Sequence, residues 1–135
     1  KYRKDRVTKM IRGVESLTLF SENAKKLAEF YQKKVGLSLT TDAELGDKDQ
    51  LFGFEMSQGS GFYIVDHSKV KGRSKEPDRV IFNLEVDNIE DAVKKLDQQG
   101  VKKVQDTYHV EGYGLIATFE DLDGNYFQFV QVREN

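Results

Sequence analysis

Of the side chains that could carry acid–base or metal chemistry, four stand out by position: Glu55, Glu85, His67 and His109. Buried beside apolar neighbours, Glu55 or Glu85 would have its pKa raised and could serve as a base. At strand ends in water neither would, and the sequence favours that reading. His67 falls at the end of a predicted strand, and His109 lies in the predicted loop from Tyr108 to Gly114. Either would act as a base or ligand only by reaching an interior; as surface histidines they need no further explanation. Tyr113 shares that aromatic, glycine-bearing loop, which suits a movable rim over a ligand as well as a plain cover for the open end of a sheet. With no cysteine, thiolate nucleophiles, disulfides and cysteine-ligated metals are excluded. G-x-S-x-G, the P-loop, the dinucleotide-binding glycine fingerprint and H-E-x-x-H are all absent.

Composition narrows the class further. Among 135 residues, 38% are hydrophobic and 33% charged, which suits one soluble globular domain. The net charge is −2. Basic residues exceed acidic ones locally only at residues 1–9 and in Lys69–Arg79, so no nucleic-acid partner is expected. No apolar run approaches the roughly 18 residues of a membrane span, so no membrane partner is expected either. The basic N-terminal stretch leads into no apolar run, which argues against a signal peptide. Together with the missing cysteines, this makes a cytoplasmic location the expectation.

The elements that must position these residues come in two matching sets. Alternation predicts a strand over Gly13–Phe20, followed by Ser21-Glu22-Asn23 as a capped helix start. Ala24, Leu27, Ala28 and Tyr31 recur at helical spacing and predict a helix over Ala24–Val35, closed by Gly36. Strands are predicted at Leu37–Thr41, Leu51–Met56 and Gly61–Asp66. The second set runs from a strand at Arg79–Val86, through a helix start at Asp87-Asn88, an apolar stripe of Ile89, Ala92, Val93 and Leu96, and a closing Gly100. Strands follow at Lys102–Thr107, Gly114–Glu120 and Tyr126–Val132, with an Asp-Gly turn at Asp121–Asn125 between the last two. Leu19–Asn23 and Leu84–Asn88 hold equivalent places about 65 positions apart, a repeat that speaks for the fold more strongly than any single strand. The expected organisation is a tail (1–12) and one domain (13–135) of two βαβββ modules, 13–66 and 79–132. An exposed linker, 67–78, holds the only proline.

Three segments carry a family likeness. Ser16–Tyr31 running into Val35-Gly36-Leu37, Phe82–Val93, and Phe119–Gln131 together resemble the vicinal oxygen chelate superfamily of glyoxalases, bleomycin-resistance proteins and extradiol dioxygenases. Leu122 stands where the closing motif of that superfamily usually has proline. The resemblance implies an α+β fold: paired βαβββ modules forming a cup-shaped mixed sheet with helices on the outer face. It also implies a homodimer.

Period-two alternation then sorts the strands into two faces. Leu17 and Leu19, then Val80, Phe82, Leu84 and Val86, then Phe127 and Phe129 are assigned to the helices. Ser16, Thr18, Phe20, Tyr63, Ile81, Asn83, Glu85, Tyr126 and Gln128 are left to line the cup, with His67, His109 and Tyr113 at its rim. In metal-binding relatives the ligands sit on those cup faces, and the motifs place them here at Ser16, Ile81 and Gln128, with Tyr63 or a neighbour for a fourth. Isoleucine cannot ligate, and a hydroxyl and a carboxamide hold a dication weakly without charged companions. The expectation is therefore no metal and no other cofactor, and a small organic ligand bound in the cup. A divalent-metal lyase, isomerase or dioxygenase, with ligands drawn from shifted residues such as Glu55, Asp66 or Glu85, is the alternative. A scaffold whose cup is filled by side chains is a third.

Overall fold

A computed structural model describes residues 10–46 and 48–132. Strand β1 (Ser16–Ser21) leads into helix α1 (Ala24–Glu29), which continues as a π-helical turn over Phe30–Val35. Strands β2 (Ser38–Leu45), β3 (Asp49–Glu55) and β4 (Gly61–Asp66) complete the first module. The second consists of β5 (Phe82–Glu85), α2 (Ile89–Gln98), β6 (Lys102–Val110), β7 (Gly114–Glu120) and β8 (Tyr126–Val132). Each module makes a four-stranded sheet, in the orders β1-β4-β3-β2 and β5-β8-β7-β6. The β1–β4 and β5–β8 pairs are parallel and the others antiparallel. The α+β fold of paired βαβββ modules is therefore as expected, with its mixed sheet in two halves whose first strands, β1 and β5, are both edges. No helix among the described residues is long and apolar enough to cross a membrane.

The local signals act as their chemistry requires. Asn23 and Asn88 each accept a backbone N–H three residues on, from Lys26 and Asp91, and so cap α1 and α2. Gly36 ends the first helical segment at φ 97°, a left-handed conformation open to glycine at little cost.

Several boundaries differ from the sequence reading, among them β1, which runs Ser16–Ser21 rather than Gly13–Phe20, and β3, which runs Asp49–Glu55 rather than Leu51–Met56. The helix predicted over Ala24–Val35 is α-helical only to Glu29. Strand β2 runs on to Leu45, because β3 pairs with it through polar positions as far as Leu45 opposite Asp49. Strand β5 starts at Phe82, not Arg79: the chain turns at Pro77, the Arg79 N–H returns to the Glu76 carbonyl, and Val80 is left 68% exposed rather than on the helix face. Strand β6 extends to Val110, so His109 lies in a strand opposite Leu115 and not in a loop.

One apolar cluster serves both modules. Leu17, Leu19, Phe82, Leu84, Phe127 and Phe129 all turn toward it, as alternation predicts. At its centre the fully buried Tyr31 ring meets Phe62 of β4 at 5.3 Å, Phe127 of β8 at 5.5 Å and Phe82 of β5 at 6.2 Å. Phe62 and Phe82 touch directly, at 5.3 Å. Each fully buried phenylalanine contributes roughly 1.5–3 kcal/mol, so this aromatic seam is a main source of cohesion between the modules. Because both sheets present their helix-covered sides to a common core, their opposite faces look away from each other.

Candidate functional site

The first outward face is organised around Tyr63. Cross-strand register sets Thr18 and Gly53 on either side of it, with Ser16 opposite Gly61. A Cβ atom at Gly53 or at Gly61 would come within 3.0 Å of the Tyr63 ring. Both glycines are thus needed to let the ring lie against the sheet. At the end of β1, Phe20 is 46% exposed and meets the His67 ring edge-on at 5.1 Å. Nδ1 of His67 accepts the Lys69 N–H at 3.1 Å, so the neutral ring carries its proton on Nε2.

The second outward face carries amides. Asn83 stands opposite Gln128, which stands opposite Thr118 on its other side. The Gln128 side-chain amide donates to the Thr118 hydroxyl at 2.9 Å, fixing its orientation. Glu85 follows opposite Val130, and Tyr126 opposite Glu120. Ile81 lies one residue before β5 and is half-buried.

The nine predicted lining residues therefore fall into two groups, one per sheet, on faces that look apart. Of the rim residues, His67 borders the first face through Phe20. Tyr113 is half-buried in the tight β6–β7 turn, its N–H bonded to the Val110 carbonyl. His109 shares the side of Leu115, which is the core side of the sheet, and so turns away from Gln128. The buried Thr118 escaped the sequence reading, and Tyr108, expected in the rim loop, instead lies in β6 opposite Ile116 and is 43% exposed. Both emerge only from the pairing register of β6 and β7, which no local residue pattern specifies.

As a metal centre these positions do not fit. Ile81 offers no donor atom, and Ser16 and Gln128 offer only a hydroxyl and a carboxamide oxygen, weak partners for a dication without charged companions. Among the described residues no group of three His, Asp or Glu side chains is placed to hold an ion. Glu55 and Glu85 are both exposed.

The strongly perturbed titratable pair lies elsewhere. The Tyr31 hydroxyl donates to the buried Asp121 carboxylate at 2.6 Å, and Ser21 donates to Asp123 at 2.6 Å. Burial, reinforced by the nearby Asp121, pushes the Tyr31 hydroxyl well above its ordinary pKa. Burial likewise raises Asp121 against hydrogen bonds that favour its charge. These bonds tie the first module to the closing turn of the second, and neither outward face includes them.

A groove of about 970 Å³ opens between the modules, and of the nine lining residues only Asn83 and Glu85 border it.

Comparison with known proteins places the chain in context. The model of the Glyoxalase/Bleomycin resistance protein/Dioxygenase superfamily matches residues 13–129. The uncharacterized protein YetH of Bacillus subtilis (strain 168) is 23% identical over 118 residues, 87% of this chain and 97% of that protein. A glyoxylase/bleomycin resistance protein/dioxygenase domain from Frankia sp. EAN1pec superposes with a TM-score of 0.74 at 16% identity, covering 91% of this chain and 99% of the other. TnmS3, an antibiotic binding protein from Streptomyces sp. CB03234, superposes with a TM-score of 0.69 at 19% identity, covering 91% and 98%.

Proposed function

The chain belongs to the Glyoxalase/Bleomycin resistance protein/Dioxygenase superfamily, and from that premise we propose that it binds a small organic molecule on its outward sheet faces, without a catalytic metal. In this reading residues 13–135 act as one domain after the tail (1–12), in the cytoplasm. A second copy brings its own faces to close each half-site into a cup.

The observation that carries the reading is the Tyr63 ring held against Gly53 and Gly61. A tyrosine fixed in this way gives a rigid stacking surface at small entropic cost. The Asn83, Gln128 and Thr118 set supplies the few directed polar groups that ligand sites combine with apolar walls. The open edges of β1 and β5 support completion by a second chain, since an unpaired edge beside a functional face calls for cover. The antibiotic-binding TnmS3 is a relative in fold that supports this class of activity.

Thermal-shift screening of planar aromatic and glycopeptide compounds tests the proposal. A bound compound should raise the melting temperature, by an amount that grows with its concentration. Tyr63→Ala and Gln128→Ala should abolish the shift while leaving the unliganded melting temperature within a few degrees. Treatment with EDTA should change nothing. The proposal fails if no compound stabilises the protein, or if stabilisation survives both substitutions. Loss of binding on EDTA treatment would instead establish a metal-dependent site.

A further inference from the structure

The groove between the modules differs in chemistry from the sheet faces. It lies where the shared core opens: Leu17, Met56, Phe82, Leu84 and Val86 pack on buried residues yet keep part of their surface uncovered. At about 970 Å³ it is at the upper end of the roughly 300–1,000 Å³ typical of small-molecule sites. Beside this apolar floor stand Glu85, Asp87 and Asp91, all exposed. Among the described residues none of the three carboxylates joins an ion pair or accepts a hydrogen bond. Lys95 is the one cation among the residues lining the groove, set against three carboxylates. The start of α2 also faces the groove, but it is not open to an anion. The Ile89 N–H is taken by the Gln131 side chain at 2.8 Å and the Asp91 N–H by Asn88 at 3.1 Å.

We propose that this groove binds an organic cation with an apolar body. The apolar part covers Leu17, Met56 and Leu84 beside the half-buried Phe82. Asp87 and Asp91 supply the counter-charge. This site is distinct from the outward faces: its floor is on the core side of β5, whereas the proposed cup uses the opposite side. Glu85 borders both and is therefore left intact in the test.

Crystal violet, an apolar aromatic cation, is titrated into the full chain by isothermal calorimetry, with the anionic fluorescein as its counterpart. Crystal violet should bind, and fluorescein at least about tenfold more weakly. The double substitution Asp87→Asn and Asp91→Asn should weaken crystal violet about tenfold, as expected for two solvent-screened charge pairs, and flatten its salt dependence. Asp87→Glu with Asp91→Glu should keep most of the affinity, separating charge from any effect on the fold. Ala92→Phe, which fills the groove from α2, should block the dye without changing the circular dichroism spectrum. The proposal is overturned if the two dyes bind equally, if removing the two charges leaves the affinity unchanged, or if the filled groove still binds. It is also overturned if affinity falls as protein concentration rises, since a second copy would then be the occupant. The same holds if the dye binds only after residues 1–9 are deleted, since that basic stretch would then be the competitor.

Discussion

Asp121 shows what a single buried carboxyl does for this chain. It is 4% exposed, and its oxygens accept from the Asp123 and Asn125 backbone, the Asn125 side chain and the Tyr31 hydroxyl. Burial still outweighs those bonds, so its folded pKa is raised above the ordinary 3.8. A carboxyl raised on folding contributes stability that is fully present below the unfolded value and is lost as pH rises through the folded one. Asp121→Asn removes that titration and turns an amide N–H toward the Asn125 side-chain donor. At neutral pH the variant should lose about 1–3 kcal/mol in urea unfolding, the cost of a mispaired buried polar group. The gap between the two proteins should be widest near pH 3.8 and below and should narrow toward pH 7. A gap that stays flat or widens with pH would contradict the raised pKa. Sequence could mark Asp121 as a turn residue, but its burial comes from Tyr31 arriving out of the other module, 90 residues away.

Among the elements, the linker is more than a tether. The Arg73 side chain pairs with Glu120 and donates to the Leu122 carbonyl at 3.0 Å, and the Ser74 N–H bonds to the Asp123 carbonyl at 2.8 Å. This strap lies against Gly124, where φ is 81° and an added Cβ would meet the Arg73 guanidinium at 3.2 Å. Gly124→Ala should cost about 1–3 kcal/mol, through backbone strain as well as displacement of the strap. Arg73→Ala, which removes an ion pair whose arginine is largely exposed, should cost less than about 1 kcal/mol. Urea unfolding of both variants checks the order; Arg73→Ala as the costlier change would show the strap to matter more than the turn. Both helix caps and the turn at Gly124 were legible because each is a local choice of residue type. The start of β5 was not. Val80 and Ile81 are as β-prone as Phe82, and only the turn made by Glu76–Arg79 and the pairing with β8 decide where the ladder begins. The same holds for the end of β6, whose polar residues join a strand because β7 lies alongside.

At the scale of the whole molecule, the repeat made the two modules legible, and alternation told which strand faces meet the core. Neither says how the modules pack on each other, because that rests on long-range contacts such as Tyr31 with Phe127. Hence the sequence could assign strand faces, while the grouping of the proposed lining residues, one set per sheet, emerges only from the pairing of the strands. The proposed homodimer is testable at the open edges of β1 and β5. Sedimentation equilibrium at micromolar concentration should find twice the chain mass, and Thr18→Asp with Phe20→Asp on the open β1 edge should return it to the monomer. A monomeric parent protein would remove the second copy from the proposal.

The back-to-back packing of the two sheets also has a thermodynamic consequence. A molecule that touches both walls of a cup shared by two chains works as an adhesive, and linkage makes the benefit mutual. Whatever factor the ligand contributes to holding the chains together, assembly returns to the ligand's affinity. The measured affinity would then climb with protein concentration, and on dilution the site would disappear while each chain stayed folded around Tyr31.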